Sequence, residues 1–246
     1  KTLQEISAAL SRACSLLSFA GKAAAVYNPL AYARLPHEMY LELAGSPPKK
    51  VIFLGMNPGP WGMAQTGVPF GEVAAVRDWL RIEAPVDKPK KEHLKRPIEG
   101  FACAKSEVSG RRLWGLFRER FTTPEAFFRS HYVANYCPLV FMDEKGANIT
   151  PDKLPSAETE KLFAACDAAL AATIKLLTPQ WVIGVGGFAK KRIDAVQKNF
   201  FSRENSKNAP AFSTAQILHP SPANPLANSG WSESVTETLK KLKIWK

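Results

Sequence analysis

Three polar side chains stand where apolar runs end: Asn57 just beyond VIFL at 51–54, Asn135 within HYVANYCPLV at 131–140, and His219 just beyond AQIL at 215–218. A carboxamide inside an otherwise apolar strand must find partners or cost stability, which makes Asn135 conspicuous. Two carboxamides and an imidazole can hold a neutral ring by its hydrogen-bonding edge, place a water and stabilise negative charge developing on a carbonyl. A single histidine is more often structural, but this one opens HPSPANPLANSGW, a second stretch rich in Pro and Asn. Met56, Met63 and Phe70 accompany the set, which is poor in acids. Glu72 is the one carboxylate in 51–72, which disfavours glycoside hydrolysis by a carboxylate pair.

Other chemistries fail on their spacing. His37 and Glu38 suggest a metalloprotease HExxH, but position 41 is Leu. Ser221 between two prolines has no nucleophile elbow around it and reads as loop structure. Cys14, Cys103, Cys137 and Cys166 form no CxxC or Cys/His pairing, so neither a zinc site nor an iron-sulfur cluster is implied. Reduced core cysteines of this kind suit a cytosolic compartment. The stretch 51–72 lacks the Gly-Lys-Ser/Thr of a P-loop. Gly184-Val-Gly186-Gly-Phe-Ala189 fits G-x-G-x-x-A, with Glu204 twenty residues beyond. However, Glu204 falls in a polar loop and the motif comes late in the chain. Tight strand-to-helix packing at Gly186 and Gly187 is the favoured reading, and a nucleotide-binding module the alternative outside enzymology.

These residues need a scaffold. VIFL, flanked by Lys49, Lys50 and Gly55, suits a strand buried on both faces. Further strands are expected over 131–140, 181–185 and 215–218, and helices over 3–19, 73–82, 109–121, 158–177, 188–200 and 232–242, with Ser109 capping the third. Short helical pieces are expected over 27–35 and 37–43, ending at Gly45. Strands alternating with helices predict an α/β fold, a four-stranded parallel sheet flanked by helices on both faces, with ligands at the carboxyl ends of the strands. No repeat or linker interrupts 1–246, so one domain is expected.

The chain has 246 residues and a net charge of +11. That length buries a core without disulfides or metal, and the charge favours a polyanionic partner. The lysine-rich 84–106 segment reads first as a solvated loop and secondly as a phosphate-contacting flap. The apolar 8–31 segment is too broken by Arg12, Lys22, Asn28 and Pro29 for a signal peptide or a membrane span.

GMNPGPWGMAQTGVPFGE at 55–72, NYCPL at 135–139 and HPSP at 219–222 agree in order and content with the uracil-DNA glycosylase superfamily. They most closely resemble its single-strand-selective monofunctional branch, and the resemblance runs from about residue 51 onward. It implies a DNA partner, a monomeric enzyme without cofactor, a base flipped into a pocket, and hydrolysis of the sugar–base bond. Asn57 matches the residue that positions the attacking water, and His219 the histidine that binds the pyrimidine O2. Asn135 matches the carboxamide that reads N3 and O4, Phe70 the stacking aromatic, and Met56 and Met63 pocket walls. Gly59 stands where the classical branch has a bulky Tyr, which implies room for a C5 substituent such as hydroxymethyl. No lysine lies in these motifs to form a Schiff base, which implies a monofunctional hydrolase without strand cleavage.

DNA contacts are implied for Ser221, Pro222, Ala223, Asn224 and Asn228. Ala223 departs from the long wedge Arg of vertebrate members, leaving either Asn224, Leu226 or Asn228 to fill the gap, or duplex substrates to be handled poorly with single strands and weak pairs favoured. Within the superfamily the second reading is a mismatch-type enzyme with activity on xanthine or hypoxanthine. Localisation is expected to be nuclear in a eukaryote or cytoplasmic in a bacterium, and the lack of a basic targeting tail leans bacterial.

Overall fold

Val51, Ile52, Phe53 and Leu54 are all fully buried, and each face of their strand carries helices. Phe53 turns one way, its ring 5.1 Å from Phe117. Leu54, the next residue, faces oppositely and shares a small apolar cavity with Leu3 and Leu170. The computed structural model describes residues 1–202 and 210–246; Glu204, weighed above with the glycine motif, lies outside the described residues.

In chain order the first half holds α1 (Leu3–Ser15), β1 (Ala25–Tyr27), α2 (Pro29–Tyr32), α3 (Arg34–Ala44), β2 (Val51–Gly55), α4 (Met63–Thr66), α5 (Val108–Phe121) and α6 (Pro124–Phe128). The second holds β3 (His131–Asn135), β4 (Val140–Met142), β5 (Asn148–Ile149), α7 (Ser156–Leu177), β6 (Trp181–Val185), α8 (Gly187–Phe201), β7 (Ser213–Ile217) and α9 (Trp231–Lys241). Strands β3-β2-β6-β7 form a four-stranded sheet, parallel at every pairing. It is the architecture expected from the alternation of elements.

A second sheet was not anticipated: β1, β4 and β5 pair antiparallel. Two of these strands have three residues and one has two, too few to show a period of two. The expected strand over 131–140 accordingly divides. β3 ends at Asn135, and Val140–Met142 joins the second sheet. The expected 73–82 helix shrinks to a short helical segment closed by a π turn over Ala75–Trp79, although Val76, Trp79 and Leu80 point inward as expected.

An aromatic cluster fills the face between β2, β3 and helices α3, α5 and α6. Trp114 lies within 6.4 Å of Tyr40, Trp79, Phe117, Phe127 and Phe128, ring centre to ring centre. Edge-to-face packing of this kind adds to the burial of each ring. On the opposite face α1 packs on α7, and α7 on α8. All four cysteines are buried and free.

Candidate active site

In the parallel register Gly55 lies opposite Asn135, Leu54 opposite Gly184 and Val185 opposite Ile217. The carboxyl ends of all four strands therefore reach one edge of the sheet. There a cavity of 260 Å³ is lined by Met56, Asn57, Gly59, Phe70, Asn135 and His219, the sequence-expected set apart from Met63. Ser221 also lines it, and so do Glu107, Ser109, Asn148 and Thr150, which the sequence did not suggest. Met63 sits behind the wall, its Sδ accepting from Asn135 Nδ2 at 3.3 Å. A thioether is a weak acceptor, so the carboxamide keeps most of its capacity for a ligand.

Asn57 is oriented by the main chain. Its Nδ2 donates to Leu139 O at 3.3 Å, which leaves Oδ1 to accept from a water. His219 Nδ1 accepts from the Ser221 N–H at 3.1 Å, which fixes the ring proton on Nε2 as a donor. Burial also pushes the His219 pKa down, keeping the imidazole neutral. Between β2 and β7 stands β6, and its end must stay slim for His219 to approach. Gly186 has φ +91°, and a Cβ there would fall 3.1 Å from His219 Cβ. At Gly184 a Cβ would meet Lys190 N at 2.5 Å. The G-x-G-x-x-A motif thus serves close packing of α8 and access for His219.

Phe70 is held at φ 53°, an uncommon and strained conformation for a bulky residue. Its neighbours hold it there. Trp114 Nε1 donates to Pro69 O at 3.1 Å and Thr66 Oγ1 to Gly71 O at 2.9 Å. The backbone of α5 presses so close at Gly110 that a Cβ would fall 2.1 Å from Phe70 O. Gly55 completes the fit, since a Cβ there would collide with both Asn135 Oδ1 and the Phe70 ring.

Two expectations are corrected. Glu107, not Ser109, occupies the N-cap position of α5, and its side chain makes no cap. The space beside Gly59 is also not vacant, because a Cβ there would lie 1.8 Å from Glu107 Oε1, and one at Gly62 would lie 2.0 Å from Oε2. The pocket read as poor in acids therefore holds one, Glu107, delivered from a distant element. No local pattern in the sequence marks Glu107; only the paired glycines 59 and 62, three residues apart, hinted that something must approach them.

The loop after His219 is braced from α5. Arg112 donates to Pro220 O at 2.8 Å and to Asn228 Oδ1 at 3.0 Å, while Asn228 Nδ2 donates to Pro222 O. Asn224 Oδ1 accepts from Leu226 N, and Ser221 Oγ accepts from Ala223 N. Asn224 and Asn228 are thus engaged in shaping the loop. Pro222 and Ala223 are exposed, and Leu226 projects with 70 % of its surface free.

A four-stranded parallel α/β sheet with a pocket at its carboxyl edge is the frame of a hydrolase of the uracil DNA glycosylase superfamily, whose family model matches residues 44–243. The chain is 47 % identical over 228 residues to the single-strand selective monofunctional uracil DNA glycosylase of Bos taurus, covering 93 % of this chain and 81 % of that one. The Rattus norvegicus relative of the same description is 46 % identical over 235 residues, covering 96 % and 82 %. In fold the chain is similar to wild-type Pedobacter heparinus SMUG2, with a TM-score of 0.60 at 16 % identity over 98 % of this chain and 99 % of that one. The chain belongs to the single-strand selective monofunctional uracil DNA glycosylase family. No helix among the described residues is long and apolar enough to cross a membrane.

Proposed function

We propose that this enzyme hydrolyses the N-glycosidic bond of uracil, and of uracils substituted at C5, in DNA, leaving an abasic site. The observation that carries the residue roles is the convergence on one cavity of an oriented Asn57, a tautomer-fixed His219 and an Asn135 carboxamide engaged, among the described residues, only by the weak acceptor Met63 Sδ. A flipped base stacks on Phe70 and offers its N3 and O4 edge to Asn135. Cytosine reverses the donor and acceptor pattern there and is refused. As the bond to the sugar breaks, charge accumulates on the base, and His219 Nε2–H donates to O2 where it develops. Asn57 Oδ1 accepts from the water that attacks the sugar carbon. No lysine lines the cavity, which agrees with hydrolysis without a Schiff base.

DNA is held through the basic surface and the loop after His219. Ser221 holds His219 through its backbone. Leu226, in place of the missing Arg at Ala223, fills the gap left by the flipped base, since exposed apolar side chains wedge between bases in many DNA-bending proteins. Single-strand substrates suit this short wedge because less pairing must be broken.

The test is single-turnover release of uracil from a single-stranded oligonucleotide, followed by alkaline cleavage at abasic sites. His219→Leu and Asn57→Ala are each expected to lower the rate on the order of a hundredfold or more. Near-wild-type rates in either would remove the role given to it. Parallel substrates carrying xanthine and hypoxanthine test the breadth of the pocket.

A further inference from the structure

We propose that Glu107 is the specificity residue for position C5, its carboxyl group hydrogen-bonding the hydroxyl of a C5 substituent on the flipped uracil and rejecting a methyl group there. This rests on the base-excision reading above. Glu107 lines the same cavity as Phe70, Asn135 and His219, and its two oxygens lie where side chains of residues 59 and 62 would otherwise project. Residue 59 is the position to which the sequence resemblance assigns the guarding of C5.

The carboxyl group has no hydrogen-bond or ion-pair partner among the described residues. A polar group in that condition gains from a ligand that satisfies it and penalises one that does not. A hydroxymethyl group both donates and accepts, so it satisfies the carboxyl in either protonation state. Thymine would press a methyl group against it, leaving it dry and unpaired, and unpaired polar groups give sites their largest discrimination. Uracil leaves the space to a water.

The surroundings keep the group switchable. From the opening loop, residues 57–62 bring no titratable side chain, and the nearby Arg96 and Lys105 lie on the Trp61 ring at 4.9 and 4.3 Å. From the β5 side come only Asn148 and Thr150, and from the loop after β7 the neutral His219. On its own helix, Arg111 reaches Ser106 Oγ instead. Across from it Glu72 is engaged by Ser106 Oγ and Ala75 N–H, each at 2.8 Å. With no cation to pair it, burial, reinforced by the charge of Glu72, pushes the Glu107 carboxyl up to about 7. A formyl substituent only accepts hydrogen bonds, so it needs the protonated form, and its removal relative to uracil should decline as pH rises through that value.

The experiment measures single-turnover release of uracil, 5-hydroxymethyluracil, 5-formyluracil and thymine from single-stranded oligonucleotides between pH 6 and 8, for wild type, Glu107→Leu and Glu107→Gln. For Glu107→Leu the hydroxymethyluracil-to-uracil rate ratio is expected to fall about tenfold, the scale of one such hydrogen bond. The thymine-to-uracil ratio should rise. In wild type the formyluracil-to-uracil ratio should drop across the pH range, and in Glu107→Gln it should stay flat. Should Glu107→Leu fail to fold, the Glu107→Gln pH profile decides alone. Rates that fall in proportion on all substrates, or a formyl ratio with the same pH profile in wild type and Glu107→Gln, would overturn the proposal. Absence of uracil release by wild type would instead overturn the base-excision reading.

Discussion

In the role proposed for Asn57, a carboxamide accepts a water's hydrogen bond but carries no charge, so it would stabilise an oxocarbenium-like sugar less than a carboxylate would. On the proposed mechanism, more of the rate then rests on His219 and on how well it is placed. The placement depends on a residue with no functional group at all. Gly186 combines φ +91° with contact against His219, so Gly186→Ala introduces backbone strain and pushes the imidazole aside. Small misplacements of a catalytic group are costly. Gly186→Ala is expected to lower uracil release roughly ten- to a hundredfold while far-UV circular dichroism stays native, and an unchanged rate would mean that His219 has slack. Asn57 and His219 were legible in the sequence because each follows an apolar run, and Asn135 because it is a carboxamide inside one. Glu107 was not, because its neighbours in space, Gly59 and Gly62, lie more than forty positions earlier in the chain.

At the scale of elements, the loop after His219 carries the proposed contact with DNA. The loop after His219 is stiffened by Arg112, Asn224 and Asn228, and it presents Leu226 to solvent. Burying a leucine side chain is worth about 1.5–3 kcal/mol, and a wedge matters most where a partner strand must be held apart. Leu226→Ala is therefore expected to slow release from duplex about tenfold more than from single strands; equal losses on the two substrates would exclude it as the wedge.

On the other rim, the fully buried Gln65 joins the opening loop to the 84–106 segment. Its Nε2 donates to Pro60 O and Pro97 O, and its Oε1 accepts from the N–H groups of Glu99 and Gly100. Gln65→Leu strands four backbone groups, and a stability loss of about 2–4 kcal/mol is expected from denaturant midpoints. The lysine-rich segment read as a solvated loop is thus anchored at its base.

At the scale of the whole molecule, two histidines link stability to pH. His37 lies between Ser7 Oγ and Gly67 O, and His131 lies within the aromatic cluster; burial pushes both down to about 4 from 6.5. Between those values the unfolded chain binds protons that the folded chain refuses, so stability falls as pH drops from 6.5 to 4, by on the order of 3 kcal/mol for each histidine. Glu107 acts in the opposite sense. Its folded pKa is raised from 4.5 to about 7, so its contribution is lost as pH climbs through that window. Thermal unfolding followed against pH should show a midpoint falling steeply below pH 6.5, and a flat acid limb would mean that the histidines are not buried as neutral groups. The charge of +11 makes a separate prediction. Affinity for a single-stranded oligonucleotide should fall linearly in log–log terms with salt, with a slope of about −0.7 for each phosphate neutralised. A salt-independent affinity would count against backbone-driven binding.

The sequence by itself determined the strands of the parallel sheet, because VIFL and WVIGV are apolar runs short enough for strands and flanked by turn residues. It also determined that Asn57 and His219 stand at strand ends, since each follows an apolar run, whereas the end of β3 at Asn135, inside the apolar stretch 131–140, was set by the tertiary structure. Only the tertiary structure decided what the empty position at Gly59 is for, because the carboxyl that fills it arrives from the start of α5. It likewise decided that Asn224 and Asn228 shape a loop while Leu226 is left exposed, and that Gly186 makes room for His219. Each of these depends on which distant backbones come within a few ångströms of one another, and that is set by packing across the sheet, not by spacing along the chain.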